Sequence, residues 1–167
     1  MIEVVVDDLA FMAVDAILRP ASDTLDPVAS VSSRLDRLAG SAFATERQVQ
    51  SALEVGSAVV TGAGDLSAQF VIHAVIRGDQ TNATRDSVRR ALTSAWQRAA
   101  AWGLERIAGP PVGAGAGQLG LADAAELMAQ TFADHCRTGR PPTTLQIVAD
   151  REDERAIIEA AIQRVGS

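Results

Sequence analysis

Short apolar segments typical of β-strands alternate with amphipathic helical segments along this chain of 167 residues. The predicted strands are Ile2–Val6, Ala16–Leu18, Ala58–Thr61, Gln69–Ile76, Ile107–Gly109 and Thr144–Ala149. The predicted helices run from Pro27 (with Asp26 as N-cap) to Gly40, over Thr45–Leu53, over Thr84–Trp102, from Leu121 to about Gly139, and from Asp150, as N-cap, to about Val165. This alternation predicts an α/β fold: a single domain over 1–167, built as a three-layer α/β/α sandwich around a mixed, largely parallel sheet.

Two loops follow predicted strands and lead into predicted helices, at 19–31 and at 110–120. In an open α/β sheet, ligands bind beside the carboxyl ends of the strands. A helix N-terminus offers free backbone N–H groups and a favourable dipole to an anion. Two such termini facing one crevice would suit a diphosphate better than a single phosphate.

The second loop contains the run Gly113, Ala114, Gly115, Ala116 and Gly117. Glycine lets backbone N–H groups approach a ligand with no side chain in between, so the run predicts a phosphate-binding loop. The alternative is a tight turn whose glycines only permit positive φ, and a lone glycine-rich loop does not decide between the two.

The acidic balance of the chain excludes partners that need a basic surface. The formal net charge is -6 and the pI about 4.8, with no cluster of Lys and Arg. We therefore expect no polynucleotide partner and no membrane. The longest uncharged run, 107–122, is rich in Gly and carries Pro110 and Pro111, which is typical of a loop and not of a membrane span.

Cysteine and histidine usage predicts a protein without a metal or other cofactor, and the N-terminal segment predicts a cytoplasmic location. Cys136 is the only cysteine, which excludes an intrachain disulfide and a cysteine-based metal site. His73 and His135 are too far apart to show metal-ligand spacing. The segment Ile2–Val6 is typical of a first strand and not of a signal peptide.

Two segments, Gly56–Val75 and Ile107–Ala125, carry a likeness to a known family. Val14–Leu18, with its following loop and Gly40, precedes them in the same order. Together they resemble the macro domain family, the ADP-ribose-binding modules, from Ile2 to about Val165. Each segment alone is weak evidence, and their order makes the resemblance more specific.

The resemblance implies a mixed sheet between helices and a cleft for ADP-ribose. The ligand-binding residues that it implies are Asp8, Leu9, Ala21, Ser22, Ser30, Val31, Gly113, Ala114, Gly115, Ala116 and Gly117. Asp8 and Leu9 would contact the adenine, with Asp150 near its edge. The first-loop residues would follow the distal ribose and the diphosphate, and the glycine run would form the second phosphate loop.

The first loop departs from the family pattern. The family usually places Asn-Ala-Ala-Asn after the second strand, where this chain has Arg-Pro-Ala-Ser at 19–22. Ser22 is shorter than asparagine and cannot offer an amide donor and acceptor at once. The glycine run that usually follows is replaced by Val-Ala-Ser at 28–30, whose side chains crowd the backbone. An aromatic residue that often stacks on the adenine is replaced by Ala149.

Several side chains have two interpretations. Arg19 could reach a phosphate, or pair with an acidic neighbour and close the cleft. His73 lies in an apolar segment, which is more typical of a buried, hydrogen-bonded histidine than of a catalytic one. Asp23 and Asp26 could activate a water, although turn and cap roles are more typical. Asp8 could contact a ligand or belong to a solvated turn.

Three classes of function stay open. The first is a binding module for ADP-ribose or a related nucleotide, with an ADP-ribosylated protein as a further partner. The second is a hydrolase of ADP-ribosyl groups or a deacylase of ADP-ribose derivatives, for which the changed first loop predicts little activity. The third is a degenerate domain that serves assembly.

Overall fold

The computed structural model describes residues 1–115 and 118–166 and contains a six-stranded sheet of order β1-β6-β5-β2-β4-β3. The strands are β1 (Ile2–Val6), β2 (Ala16–Ser22), β3 (Ala58–Gly62), β4 (Phe70–Arg77), β5 (Arg106–Gly109) and β6 (Thr144–Ala149). Only β3 runs antiparallel to its neighbour, β4, while the other neighbouring strands are parallel. The predicted mixed, largely parallel sheet is confirmed.

Helices cover both faces of this sheet. They are α1 (Ser30–Ala39), α2 (Ser41–Glu46), α3 (Arg85–Trp102), α4 (Leu121–Cys136) and α5 (Glu152–Val165), with a short 3-10 helix at Leu9–Phe11. α3, α4 and α5 pack on one face, where Trp96 and Phe132 are buried. α1, α2 and the 3-10 helix pack on the other, around Phe43. The three-layer sandwich is therefore also confirmed.

Strand β2 lies between the two cores, and all of its residues are buried. Its side chains alternate between the faces, with Ile17 in the core under α1 and Leu18 in the core under α3. The strand continues to Ser22, so the predicted stop after Leu18 is wrong. β5 pairs with β2 only at Ala16 and Ile17, the first two residues of β2. Pro20, which has no N–H, therefore lies where β2 pairs with β4 alone.

Helix α1 begins three residues later than predicted, because the chain after β2 first forms a loop. Asp26 is not its N-cap: the Asp26 carbonyl accepts the Ser22 N–H at 3.0 Å. Pro27 forms a single bridge with Ala21 instead of starting the helix. The helix ends as predicted at Gly40, whose φ of 88° favours glycine.

The bounds of α2 and α5 also differ from prediction, and α4 ends at Cys136, before the predicted Gly139. α2 covers Ser41–Glu46 instead of Thr45–Leu53, because it follows α1 directly after the turn at Gly40. α5 has Arg151 as N-cap instead of Asp150, whose N–H donates to the Glu154 side chain at 3.2 Å.

Candidate functional site

A cleft of about 1120 Å³ opens at the carboxyl ends of β1, β2, β5 and β6. It is the place that the topology of a parallel sheet predicts for a ligand. α1 and the loop 110–120 form two of its walls, and residues of β1, β6 and α5 form its far end. The chemistry of the walls divides the cleft into an anion-binding part and an apolar part.

The N-termini of α1 and α4 both face the anion-binding part. Their N-cap residues, Ala29 and Gly120, provide no side-chain cap, so the first N–H groups of each helix need another acceptor. Ala29, Ser30 and Val31 line the cleft on one side and Leu121 on the other. Two helix N-termini at one crevice could donate to a diphosphate or another extended anion.

The glycine run divides into two structural roles. Gly115 is exposed, lines the cleft with Ala114, and has a φ of +134°. Its N–H donates to no acceptor within 1–115 or 118–166. Gly113 is buried, and a Cβ there would lie 2.9 Å from a Val88 methyl, so this glycine permits close packing. Ala116 and Gly117 of the predicted loop lie outside the described residues.

The far end of the cleft has apolar walls and a charged rim. The apolar residues are Val6, Leu9, Val148, Ala149 and Ile158. At the rim, Asp8 accepts the Ala10 N–H at 3.2 Å and forms an ion pair with Arg34 of α1. Asp150 lines the same end. A flat, largely apolar group with a polar edge, such as a nucleobase, matches this chemistry.

The first-loop residues of the predicted site do not all reach the cleft. Ser30 and Val31 line it, whereas Ala21 and Ser22 do not; Pro20, which was not a predicted site residue, also lines it. Ser22 is only 4% exposed, and its Oγ accepts the N–H of Asp26 at 3.2 Å. Because β2 continues through these two residues, they are part of the sheet and not of a ligand-wrapping loop.

Arg19 points into the core and pairs with an acidic neighbour, one of its two predicted interpretations. Its Nε and Nη2 each donate to the Asp36 carboxylate at 2.7 Å. Burial lowers the pKa of Arg19, while Asp36 opposes that shift. Arg47 approaches the same carboxylate, with Nη2 3.5 Å from Oδ2. The side chain is absent from the cleft lining.

His73 is a buried, hydrogen-bonded histidine, as its apolar segment predicted. Its Nδ1 lies 3.1 Å from Arg19 Nη1 and its Nε2 2.8 Å from Thr61 Oγ1. Since arginine can only donate, Nδ1 accepts, and we assign the ring proton to Nε2. Burial lowers the pKa of His73 to about 3, and the charges of Arg19 and Arg47 act in the same direction.

Two features of the cleft were not predicted from the sequence. Gln118 Nε2 donates to the Val28 carbonyl at 3.2 Å, which joins the two loops. Arg34 and Arg37 of α1 line the cleft. Their spacing of three residues would have placed both on one helix face, but only the packing of α1 shows which surface that face lines.

No helix in the described ranges is long and apolar enough to cross a membrane.

Comparisons with known proteins agree with this architecture. The family model described as the macro domain matches residues 19–128. A relative named O-acetyl-ADP-ribose deacetylase, from Enterobacter sp. (strain 638), is 33% identical over 98% of this chain and 94% of its own. The Trypanosoma brucei macrodomain in complex with ADP-ribose superposes with a TM-score of 0.83 at 21% identity, covering 96% of this chain and 68% of its own. A mutant Oceanobacillus iheyensis macrodomain with ADPR gives a TM-score of 0.83 at 19% identity, covering 98% and 92%.

Proposed function

The chain belongs to the macro domain family, and from that premise we propose that it is a binding module for ADP-ribose or a related nucleotide diphosphate. The carrying observation is the pair of uncapped helix N-termini, at Ala29 and Gly120, that face one cleft. Each offers N–H donors to one phosphate group, and the free N–H of Gly115 adds another.

The rest of the cleft supports the same ligand. The apolar end at Leu9, Val148 and Ile158 is suited to a base, and the charged rim at Asp8 is suited to its polar edge. The net charge of -6 gives the protein no general attraction for anions, so these local donors must supply the affinity. An ADP-ribosyl group on another protein would present the same chemistry, which makes a modified protein a candidate partner.

The deacetylase name of the relative from Enterobacter favours turnover of ADP-ribose derivatives as a second candidate function. Against it, the side chains that could replace the family asparagine lie elsewhere: neither Ser22 nor Asp23 lines the cleft. Between the two helix N-termini the lining offers hydroxyl groups, from Ser30 and Ser33, and no carboxylate of α1. We therefore place binding ahead of catalysis.

Titration calorimetry of the full chain tests the proposal. ADP-ribose and ADP should both bind, whereas ribose 5-phosphate, with one phosphate and no base, should bind much more weakly. If ADP-ribose gives no heat of binding, the proposed binding function is contradicted. If such a protein also self-associates, the result favours a degenerate domain that serves assembly.

We also propose a cytoplasmic location, with which the exposed free thiol of Cys136 agrees, and cell fractionation would test it.

A further inference from the structure

The rim of the apolar end carries an acidic and a basic side chain next to each other. Asp8 and Arg34 form an ion pair at the cleft, with their side chains 39% and 45% exposed. Ion pairs this exposed contribute only about 0–1 kcal/mol, so a ligand can reorganise this one at little cost. Both groups are therefore available to whatever occupies the apolar end.

The pair has unused hydrogen-bonding capacity of both kinds. Asp8 uses Oδ1 to accept the Ala10 N–H and Oδ2 to accept from Arg34 Nη2. Each carboxylate oxygen has a second lone pair. Arg34 uses Nη2 alone, and its Nε and Nη1 donate to no group in the part of the chain that the structure describes. The rim thus offers acceptors and donors next to each other.

We propose that Arg34 is a specificity-determining residue that makes the base end accept 6-oxopurines as well as adenine. This inference rests on the proposed nucleotide-binding function. The 6-amino group of adenine donates to a carboxylate such as that of Asp8. A 6-oxo group accepts from the guanidinium of Arg34, as guanine does from arginine. One Asp8–Arg34 pair can therefore satisfy either purine.

A carboxylate without its arginine would behave differently. When the 6-substituent, and not the N1–H, faces Asp8, a 6-oxo group and a lone carboxylate are both acceptors and repel each other. Adenine, which donates, would keep its hydrogen bond to Asp8. Removal of Arg34 should therefore create a preference for adenine that the native pair does not have.

ADP and IDP form a matched pair of probes, because the base of one has a 6-amino group where the other has a 6-oxo group. We expect the native protein to bind both with Kd values within about threefold. Arg34→Ala should weaken IDP relative to ADP by about tenfold, the size of one lost base contact. Arg37→Ala is the matched control: it removes the same charge from the same helix and cleft wall, and should change both affinities by one common factor.

The outcomes separate this inference from the proposed function. If neither ADP nor ADP-ribose binds the native protein, the proposed function itself fails. If ADP binds and Arg34→Ala leaves the ratio of the two Kd values within threefold of the native ratio, the role of Arg34 is overturned. A native protein that already prefers ADP by tenfold or more would also overturn it.

Discussion

Arg19 and Asp36 form a bidentate ion pair in the interior, with Nε–Oδ1 and Nη2–Oδ2 distances of 2.7 Å. Arg19 is fully buried on β2, and the Asp36 side chain is 15% exposed on α1. The pair fixes α1 against the sheet. A second contact, from Ser32 Oγ to the Pro20 carbonyl at 2.8 Å, holds the first turn of the same helix. The cleft wall at Ser30 therefore depends on Arg19, Asp36 and Ser32, none of which lines the cleft.

Removal of Asp36 should destabilise the fold more than removal of Arg19. Asp36→Ala leaves a buried guanidinium without its carboxylate, which typically costs about 3–5 kcal/mol. Arg19→Met leaves Asp36 with Arg47, so its cost should be smaller. Urea unfolding monitored by circular dichroism would measure the free energy of unfolding of both variants. The Arg19→Met/Asp36→Ala double variant should lose less stability than the sum of the two single losses. A larger loss in Arg19→Met would contradict this account.

His73 should make the free energy of unfolding depend on pH in the acidic range. Its folded pKa of about 3 lies below the ordinary value of 6.5, so the unfolded chain binds the proton first. The stability that neutral His73 contributes is fully present above pH 6.5 and is lost as the pH falls towards 3. By linkage, the free energy of unfolding falls by on the order of a few kcal/mol over this pH range.

His73→Gln tests that pH dependence, because its side-chain amide can still accept from Arg19 and donate to Thr61 without titrating. Between pH 6.5 and 4, stability should fall less steeply in this variant than in the native protein. His135→Gln is the control, since that ring is half-buried at the end of α4 beside the Pro141 carbonyl. Parallel curves for the native and His73→Gln proteins would show that His73 does not titrate on unfolding.

The elements that could be predicted are those with local causes. α3 was predicted over Thr84–Trp102 from its apolar residues at helical spacing, and the structure has it at Arg85–Trp102, between a Thr84 cap and the αL residue Gly103. β4 was predicted from its nearly continuous run of apolar residues. The extension of β2 through Ser22 depends on pairing with β4, a contact between distant segments that no local pattern reveals.

The same distinction applies to the candidate site. The glycine run and the two helix N-termini are local features, and the structure places Gly115, Ala29 and Leu121 around one cleft. Asp8 and Arg34, in contrast, are separated by 26 residues and meet only because α1 packs beside the 3-10 helix. Side-chain pairs of this kind require the tertiary structure.

Gly115→Val should abolish binding of ADP-ribose. A valine at a φ of +134° is strained, and its side chain would stand in the cleft above the free N–H. Gly139→Val is a matched control, because Gly139 also has a positive φ, of +72°, has open space where a Cβ would lie, and does not line the cleft. Calorimetry should find native affinity in the control, and unchanged affinity in Gly115→Val would show that the loop is only a turn.

We expect little or no hydrolysis of O-acetyl-ADP-ribose or of ADP-ribosylated protein. Catalysis requires a water held beside the distal ribose, and a misplacement of about 1 Å can cost roughly 100-fold in rate. Arg19 is hydrogen-bonded to Asp36, and the Ser22 hydroxyl already accepts the Asp26 N–H. Chromatographic detection of product over hours would check this. Turnover at an enzyme-like rate, lost in Gly115→Val, would refute it and make Ser22→Ala and Asp23→Ala the next variants to measure.

At the uncapped start of α1, a substitution that raises thermal stability should lower ligand affinity. An aspartate in place of Ala29 would satisfy one of the free N–H groups and raise the free energy of unfolding by about 1 kcal/mol. The same carboxylate would occupy the anion site and repel a phosphate, so Ala29→Asp should melt at a higher temperature and bind ADP-ribose more weakly. A screen for thermostable variants alone would therefore enrich substitutions at this position that erase the binding site, and laboratory evolution of this protein needs a ligand in the selection.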